Sequence, residues 1–481
     1  MFMRMLYDDR LAQAAYLIGC QQTGDAIVID PQRDVDQYLA LAAENGLRIA
    51  AVAETHIHAD FVSGAREMAE RIGAHVYVSG EGGPEWSSEW LDQPAGGMPF
   101  ESTRLSDGDT FTIGQIEFAV LHTPGHTPEH IVYLITDHGG GADAPIGMAA
   151  GDFVFVGDLG RPDLLETAAG QVGDMASSAR RLFSTIQKLE TIPEFVQVWP
   201  AHGAGSACGK ALGAVPSSTI GYERRFNPAL RAATTEASFV EFILQGQPEP
   251  PMYFATMKHV NRVGPAVLGT LPDPPQLDRA ELSAIDTRAV AVVDTRPWDQ
   301  FRDGHLPGAL SFPLTRSFNT DVGSMVRADE DIVLIVDDAA RNDAIRALIR
   351  IGLDHVVGWC TPDALPALGA SALTHINEVD VHAASALLEQ PGVCSLDVRR
   401  ATEFADGHVP EATNVAHTRL AGRLDDVPHG ARLVINCRSG IRSARASAYL
   451  QRSGYDVVNV RGGFLAWQDA DLPVAGAPVA S

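Results

Sequence analysis

A segment that occurs twice in the last 200 residues places the strongest constraint on the fold of this chain. The first copy reads Asp294-Thr-Arg296, Phe301, Asp303-Gly304-His305 and Pro307, and the second reads Asp397-Val-Arg399, Phe404, Asp406-Gly407-His408 and Pro410. Corresponding residues are 103 positions apart, as in 397 − 294 and 408 − 305. Such a repeat predicts two copies of one fold of roughly 100 residues each.

Both copies alternate β-branched runs with helix-like stretches. The runs are AVAVVD and IVLIV in the first copy, and GVCSLD and RLVIN in the second. This alternation predicts an open parallel α/β sheet in each copy.

The length of the chain suggests a third domain before the repeat. At 481 residues and roughly 150 residues per domain, about three domains are expected. A Pro-rich stretch over residues 246–279 separates an N-terminal part from the repeat and is typical of a connector. We therefore predict a domain over 1–245, a connector over 246–279, and repeat domains over 280–370 and 371–481.

Composition and charge exclude several classes of function. Hydrophobic residues make up 45% of the chain and charged residues 20%, and no apolar run approaches the roughly 20 residues that span a bilayer. The start of the chain carries Asp8 and Asp9 and does not resemble a secretory signal, so we expect a cytoplasmic protein. A net charge of −25, spread along the chain, argues against binding to nucleic acid or to anionic membranes. Assembly into a homo-oligomer is left open.

The five cysteines do not form a recognisable framework. They lie far apart, are odd in number and include no CxxC pair, so neither a disulfide scaffold nor a thiolate zinc site is expected. Individual cysteines remain candidates for chemistry.

Histidines and aspartates follow several apolar runs of the N-terminal domain. They are His56, His58 and Asp60 in THIHAD, His126 in TPGHT, Asp158 in VGDLG, and His202 in WPAHG. Chance is a poor explanation for this series, which predicts a divalent metal site at strand ends. Two histidines and one carboxylate suit non-haem Fe(II), although these ligands alone would also accept zinc.

This series resembles the signature of the metallo-β-lactamase superfamily over residues 1–240, which implies an αββα sandwich. Members with two hydrolytic metals carry a histidine directly after the Asp of HxHxD, and here that residue is Phe61, so one metal is favoured. Resemblance to the mononuclear iron persulfide dioxygenases implies one Fe(II) per chain, held by His56, His126 and Asp158. The same resemblance places three further residues beside the iron, where they orient ligands and water: His58, Asp60 and His202.

Three further residues of this domain are candidates for substrate contacts. Arg161 and Asp163 in GRPD match an element that helps to hold the thiol carrier in these dioxygenases, and an arginine can bind a substrate carboxylate in a bidentate pair. A structural salt bridge between them is the alternative. Cys208 follows His202 by six residues and would line the same cleft, where it could carry or receive sulfur; a buried, inert thiol is equally compatible.

A nucleophilic cysteine is expected only in the second repeat copy. There the strand LVIN leads into CRSGIRS and then a helix, so Cys437 would lie at a helix N-terminus, where backbone amides and the helix dipole stabilise a thiolate. In the first copy Val336 or Asp337 takes this position and Arg341 aligns with Arg442. Cys360 and Cys394 are expected to be core residues.

The CRSGIRS loop, with the upstream DVR and FxDGHxP elements, resembles rhodaneses over residues 375–475. The resemblance implies that Cys437 accepts sulfane sulfur and that Arg438 and Arg442 bind thiosulfate or sulfite oxygens. The loop residues Ser439, Gly440 and Ser443 would cradle the sulfur. Phosphatase-like anion binding is an alternative, although tyrosine phosphatases typically have a longer loop.

Together these features predict an oxygen-dependent persulfide dioxygenase with sulfurtransferase activity. Its small-molecule partners would be a persulfide of glutathione, coenzyme A or a similar thiol, dioxygen, and sulfite or thiosulfate. Two alternatives remain: a glyoxalase II-like thioester hydrolase, which could use zinc, and a non-catalytic sulfur carrier or sensor.

Overall fold

The computed structural model describes residues 1–92, 100–164 and 175–476. Two compact units are present: the first holds Met1–Thr270 with Ile349–Gly352, and the second holds Leu271–Leu348 and the chain from Leu353 onward. Among the described residues, no helix combines the length and the apolar composition needed to cross a membrane.

The first unit contains two six-stranded sheets. The strands of one are β1 (Phe2–Asp8), β2 (Gln13–Gly19), β3 (Asp25–Ile29), β4 (Arg48–Ala53), β5 (His75–Ser79) and β6 (Ser102–Leu105), in that spatial order. The strands of the other are β7 (Thr110–Ile113), β8 (Ile116–His122), β9 (Ile131–Asp137), β10 (Gly147–Gly151), β11 (Gln197–Pro200) and β12 (Ser218–Thr219), in the order β12-β11-β10-β9-β8-β7. Strands β3 to β6 are parallel to one another, as are β10 and β11, and the other neighbours are antiparallel.

Helices cover the outer faces of both sheets. They are α1 (Asp36–Glu44), α2 (Ala65–Ile72), α3 (Met175–Thr185), α4 (Ile220–Phe226), α5 (Pro228–Ala232), α6 (Glu236–Leu244) and α7 (Phe254–Val263). Side chains of β2 alternate between two cores, because successive residues of a strand point to opposite faces. Tyr16 and Ile18 pack between the sheets, whereas Ala15 and Leu17 pack against the helical layer. This layering confirms the predicted αββα sandwich.

The second unit contains two parallel sheets, one for each repeat copy. The first copy has β13 (Val290–Asp294), β14 (Leu310–Ser311), β15 (Asp331–Ile335) and β16 (Val356–Cys360), in the order β14-β13-β15-β16. The second has β17 (Asn377–Val379), β18 (Val393–Asp397), β19 (Thr413–Asn414), β20 (Arg432–Asn436) and β21 (Asp456–Val460), in the order β17-β21-β20-β18-β19.

Helices flank these sheets in both copies. The first copy has α8 (Arg279–Ser283), α9 (Trp298–Asp303), α10 (Phe318–Met325) and α11 (Asp338–Ile349), and the second has α12 (Val381–Leu388), α13 (Ala401–Ala405), α14 (Ile441–Arg452) and α15 (Gly463–Asp469). The predicted pair of parallel α/β domains is therefore confirmed.

The repeated residues make the same contacts in both copies. Arg296 binds the Asp294 carboxylate and the Gly304 carbonyl, and Arg399 binds Asp397 and Gly407 in the same way. The His305 ring stacks on Phe301 at 4.0 Å and the His408 ring stacks on Phe404 at 3.7 Å. The repeat is thus a structural element that fixes the turn after the first long strand of each sheet.

Part of the predicted connector supports the metal-motif loop of the first unit. Helix α7 presents the buried side chain of Asn261, whose Nδ2 donates to the carbonyl oxygens of His58 and Phe61, both at 2.8 Å. Its Oδ1 accepts the Ser63 amide at 2.9 Å. One amide side chain therefore satisfies three backbone groups of the loop that carries the HxHxD motif.

Replacing Asn261 with Ala should loosen this loop. Three buried backbone groups would lose their partner, at a cost of about 1–3 kcal/mol for each group left unsatisfied. We expect hydrogen–deuterium exchange at Ser63 to become about tenfold faster or more. Asn45→Ala is the matched control, because Asn45 makes one exposed hydrogen bond to Leu41. Unchanged exchange at Ser63 would contradict this role of Asn261.

Candidate functional site

Three buried side chains converge at strand ends of the first unit. His56 follows β4, His126 lies between β8 and β9, and Asp152 comes directly after β10. Their potential ligand atoms all lie within 4.8 Å of one another, and the three residues are 4%, 3% and 0% exposed. We call these three residues the metal triad.

The third residue of this group corrects the sequence prediction, which had named Asp158. The Asp158 carboxylate accepts the backbone amides of Leu159, Lys210 and Ala211 at 2.9–3.0 Å, so its oxygens are committed to holding a loop. Two Gly-Asp pairs occur in this region, and both follow apolar residues in the sequence. In the structure only Asp152 directly follows a strand, β10, so the sequence alone did not select it.

The two imidazoles are oriented for metal binding. His126 Nδ1 donates to the Arg161 carbonyl oxygen at 2.9 Å, which leaves Nε2 3.4 Å from Asp152 Oδ2. His56 Nδ1 lies 3.0 Å from Thr55 Oγ1, which in turn donates to Asp30. Such partners fix the tautomer and the ring position of a metal ligand.

The electrostatics of the triad fit a bound cation. Neither carboxylate oxygen of Asp152 has a hydrogen-bond partner among the described residues, although Asp152 is fully buried. Burial, followed by the neighbouring imidazoles, lowers the pKa of His56 well below its usual range, and burial also lowers the pKa of His126. Both rings are therefore neutral, which is the form that binds metal, and a buried carboxylate without donors is costly unless a cation pairs with it.

Asp60, His202 and Cys208 form a second group beside the triad. Their potential ligand atoms lie within 4.8 Å of one another, and His202 Nε2 is 3.3 Å from Asp60 Oδ2 and 3.4 Å from Asp152 Oδ1. Burial and then the carboxylates of Asp60 and Asp152 raise the pKa of the Cys208 thiol well above its usual range. The structure thus brings Asp60, His202 and Cys208 next to the triad, where the sequence had placed them.

His58 lies beside the triad, with its ring 4.3 Å from that of His56, and its Nε2 is directed toward two carboxylates. Its Nε2 lies 2.9 Å from Glu54 Oε2 and 3.2 Å from Asp30 Oδ1. Burial alone would lower the pKa of His58, but Asp30 and Glu54 raise it well above its usual range. The buried Phe61 ring packs on this imidazole at 4.4 Å, so the HxHxD loop is held by an ion pair and a ring contact.

His130 is a residue of the site that the sequence analysis missed. Its Nε2 accepts the Asp152 amide at 2.9 Å, its Nδ1 lies 2.8 Å from Thr123 Oγ1, and its ring is 4.9 Å from that of His56. Gly151 has φ +51°, and a Cβ there would lie 2.6 Å from His130 Nε2. His130 therefore fixes the backbone that presents Asp152, and its occurrence four residues after His126 was the available signal.

Arg161 and Asp163 form a buried ion pair, which is the alternative that the sequence analysis left open. Arg161 is 1% exposed, and its Nε and Nη2 bind the Asp163 carboxylate at 2.8 and 2.6 Å. Its Nη1 donates to the carbonyl oxygens of Ala207 and Pro248. With these donors committed, the guanidinium stabilises the loops around the triad.

Cys437 lies where β20 ends and the loop into α14 begins. The residue is 1% exposed, and its Sγ accepts the Gly440 amide at 3.2 Å. Gly440 has φ +94°, and Ser443 Oγ donates to its carbonyl oxygen at 3.1 Å. A Cβ on the adjacent Gly463 would lie 2.4 Å from the Cys437 carbonyl oxygen. The loop therefore packs tightly around the cysteine at the N-terminal end of a helix.

The two arginines of this loop differ in their surroundings. Arg442 makes a bidentate ion pair with Glu403, at 2.7 and 2.8 Å, whereas Arg438 and the neighbouring Ser439 are exposed. In the first copy the corresponding loop holds the buried Val336, and Arg341 stacks over Trp359 at 4.7 Å. Only the second copy has the elements of a nucleophilic site in this loop.

The remaining cysteines of the second unit are placed in the sheets. Cys360 ends β16 and is buried, and burial followed by the nearby Asp294 raises the pKa of its thiol to about 11. Cys394 is half-buried in β18. Both positions suit core residues.

Comparisons with known proteins agree with this architecture. The model of the metallo-β-lactamase superfamily matches residues 8–202, and the model of the rhodanese-like domain matches residues 279–358 and 380–470. A similar solved structure is a metallo-β-lactamase from Staphylococcus aureus subsp. aureus COL, which is 39% identical, covers 75% of this chain and 99% of its own, and superimposes with a TM-score of 0.67.

Curated relatives of the N-terminal part include an oxidising enzyme and a hydrolase. The mitochondrial persulfide dioxygenase ETHE1 of Bos taurus is 24% identical over 49% of this chain and 78% of its own length. A probable polyketide biosynthesis zinc-dependent hydrolase, BaeB of Bacillus velezensis, is 26% identical over 45% of this chain and 84% of its own length. The chain therefore belongs to the metallo-β-lactamase superfamily, and it carries two rhodanese-like segments after its metallo-β-lactamase domain.

Proposed function

We propose that this protein oxidises the terminal sulfur of a low-molecular-weight thiol persulfide to sulfite at one Fe(II) ion, and that Cys437 transfers sulfane sulfur. The observation that carries the proposal is the metal triad itself. It offers two neutral imidazoles and one buried, unpartnered carboxylate: His56, His126 and Asp152. A two-histidine, one-carboxylate set that leaves coordination positions open is typical of non-haem Fe(II) oxygenases.

The residues around the triad hold the ligands and define the reaction space. An Fe(II) ion bound there would supply the redox chemistry that activates dioxygen. Thr55, His130 and the Arg161 carbonyl orient the three ligands, and burial keeps the imidazoles neutral. In the balanced reaction one persulfide, one dioxygen and one water give one thiol, one sulfite and two protons.

Cys437 supplies the second reaction of the proposal. Its thiolate attacks the outer sulfur of a sulfane donor; the new bond forms to Cys437 Sγ, and the bond between the sulfur and its carrier breaks, releasing the carrier as thiolate or sulfite. The resulting Cys437 persulfide then gives its outer sulfur to sulfite as thiosulfate, which regenerates the thiol. The amide of Gly440 and the helix N-terminus stabilise the thiolate.

Relatives support sulfur metabolism as the general role. One curated relative of the N-terminal domain is named a persulfide dioxygenase. In the present protein, rhodanese-like segments follow this domain. The sulfite that the proposed dioxygenase forms is a sulfur acceptor for the proposed sulfurtransferase. Neither domain alone accounts for both.

A thioester hydrolase is the second candidate, and one feature favours it. Asp60, His202 and Cys208 are all potential metal ligands, so a second ion could lie beside the first. Two ions would suit a metal-activated hydroxide, as would the similarity to a zinc-dependent hydrolase. Phe61, where two-metal relatives have histidine, weighs against it.

Loss of a triad ligand should abolish oxygen consumption. With glutathione persulfide and anaerobically iron-loaded protein, Asp152→Ala should lower oxygen uptake by about 100-fold or more, because even residues that only support a ligand typically contribute 10- to 100-fold. Bound iron should fall with it. His138→Ala is the matched control, since this histidine is exposed. Full uptake by Asp152→Ala would contradict the assignment.

The metal content separates the two candidate functions. We expect elemental analysis of the loaded, gel-filtered protein to give one iron per chain, because Phe61 removes a nitrogen ligand from the second position. Two tightly bound ions, together with hydrolysis of a glutathione thioester in the absence of oxygen, would instead establish the hydrolase.

Sulfur transfer should depend on Cys437 alone. Cys437→Ser should abolish the transfer of sulfur from thiosulfate to cyanide, because serine cannot form a persulfide, while oxygen uptake with glutathione persulfide persists. Cys394→Ser serves as the control, since this cysteine lies in β18 of the same copy. Transfer that survives in Cys437→Ser would assign the reaction to another thiol.

A further inference from the structure

The first repeat copy contributes a buried carboxylate to the second copy. Asp321 on α10 lies 3.5 Å from Arg445 Nε on α14 and 3.3 Å from His417 Nε2. Ser317 Oγ donates to the same carboxylate at 2.8 Å. The exposed fractions of Asp321, His417 and Arg445 are only 3%, 8% and 4%. We call these three residues the interface cluster.

The interface cluster and Cys437 lie at the same end of the second copy's sheet, where the parallel strands have their carboxyl ends. His417 follows β19 and its amide bonds to Val398, just after β18, while Cys437 directly follows β20. These strands are consecutive in the sheet, in the order β20-β18-β19. Two strand spacings of about 4.8 Å put the ends of β20 and β19 roughly 10 Å apart. Arg445, one turn after the start of α14, and His417 flank the two oxygens of the Asp321 carboxylate at this end of the sheet.

Arg445 is a buried cation of this region that pairs with an acidic group of the other copy. Arg442 is neutralised by its bidentate pair with Glu403, and Arg438 is exposed to solvent. Asp321, the acidic partner of Arg445 among the described residues, comes from the other copy. Burial lowers the pKa of Arg445, whereas the adjacent Asp321 carboxylate raises it.

We infer that Arg445 binds the oxyanion end of the sulfur substrate at Cys437, and that Asp321 is a positioning residue that holds Arg445 and lowers the positive charge at the cysteine. The ligand is a small sulfur oxyanion such as thiosulfate or sulfite. This inference rests on the sulfurtransferase part of the proposed function. The copy that lacks the cysteine thus has a role in the chemistry of the copy that has it.

An attenuated charge suits a site that must bind and release anions. A buried arginine with no counter-ion is unfavourable and would hold an oxyanion strongly. With Asp321 in place the arginine is compensated when the site is empty, and the anion can leave after sulfur transfer. Exposed Arg438 offers a first contact for the entering anion, because long-range attraction acts at the surface.

Alkylation of Cys437 with a matched pair of reagents tests the inference directly. Iodoacetate is anionic and iodoacetamide neutral, so the ratio of their rates reports the charge at the thiol. The rates are measured on reduced protein at one fixed pH, by mass spectrometry of the peptide that contains Cys437. Arg445→Gln should lower the ratio about fivefold, as expected when one unit charge near the thiol is removed in a medium of intermediate polarity.

The partner variant should have the opposite effect. Asp321→Asn keeps the shape of the side chain but removes its charge, so the ratio should rise by about the same factor. The double variant should return to within about twofold of the original ratio, because the two charges compensate each other. Equal changes with both reagents, or a fall of the ratio in Asp321→Asn, would overturn the inference.

Glu330→Gln is the matched control. Glu330 also belongs to the first copy, and it pairs at 2.8 Å with Arg452 at the far end of the same helix α14. Its loss perturbs the interface between the copies without changing the charge near Cys437, so the ratio should stay constant. A ratio that shifts in Glu330→Gln as much as in Asp321→Asn would show only a general structural effect and overturn the role of Asp321.

This assay does not depend on turnover. Absence of sulfur transfer from thiosulfate, combined with the expected alkylation ratios, would reject the proposed transferase and leave the anion site in place. Active sulfur transfer with unchanged alkylation ratios would instead reject the anion site and leave the proposed transferase in place.

Discussion

A buried carboxylate without a hydrogen-bond donor is the constraint on which the site of the first unit depends. Asp152 is fully buried, and both of its oxygens lack a hydrogen-bond partner among the described residues. Such a group is stable only beside a cation. The neutral imidazoles of His56 and His126 provide no charge, so a metal ion is the natural counter-ion, and the surrounding hydrogen bonds serve to keep these three ligands in place.

The support for this site comes from distant parts of the chain, and each support acts on a different element. Asn261 holds the HxHxD loop, the Asp158 carboxylate anchors the segment next to Cys208, and the buried Arg161 joins two further loops. In the second unit, support also comes from a distant residue: Asp321 of the first repeat copy offsets the charge of Arg445 in the second copy. In both units, therefore, residues that are remote in sequence hold groups near the candidate site.

The layers of the fold and most of the site could be predicted because they depend on local patterns. Short apolar and β-branched runs indicated the strands, and the repeat indicated two related domains. The choice between Asp152 and Asp158 failed because both follow a glycine, and only the position of β10 distinguishes them. The role of Arg161 in joining loops could not be predicted, because its acceptors include the carbonyls of Ala207 and Pro248, which are 46 and 87 residues away. Asn261 and Asp321 gave no local signal, since their roles arise from packing.

The central claim is oxygen-dependent oxidation of persulfide sulfur at the metal triad. Its most direct test is the stoichiometry of sulfite formed to dioxygen consumed by the iron-loaded protein with glutathione persulfide, in a Cys437→Ser background that prevents conversion of sulfite to thiosulfate. We expect one sulfite to form for each dioxygen consumed. If the protein neither forms sulfite from the persulfide nor consumes oxygen, this proposal is contradicted.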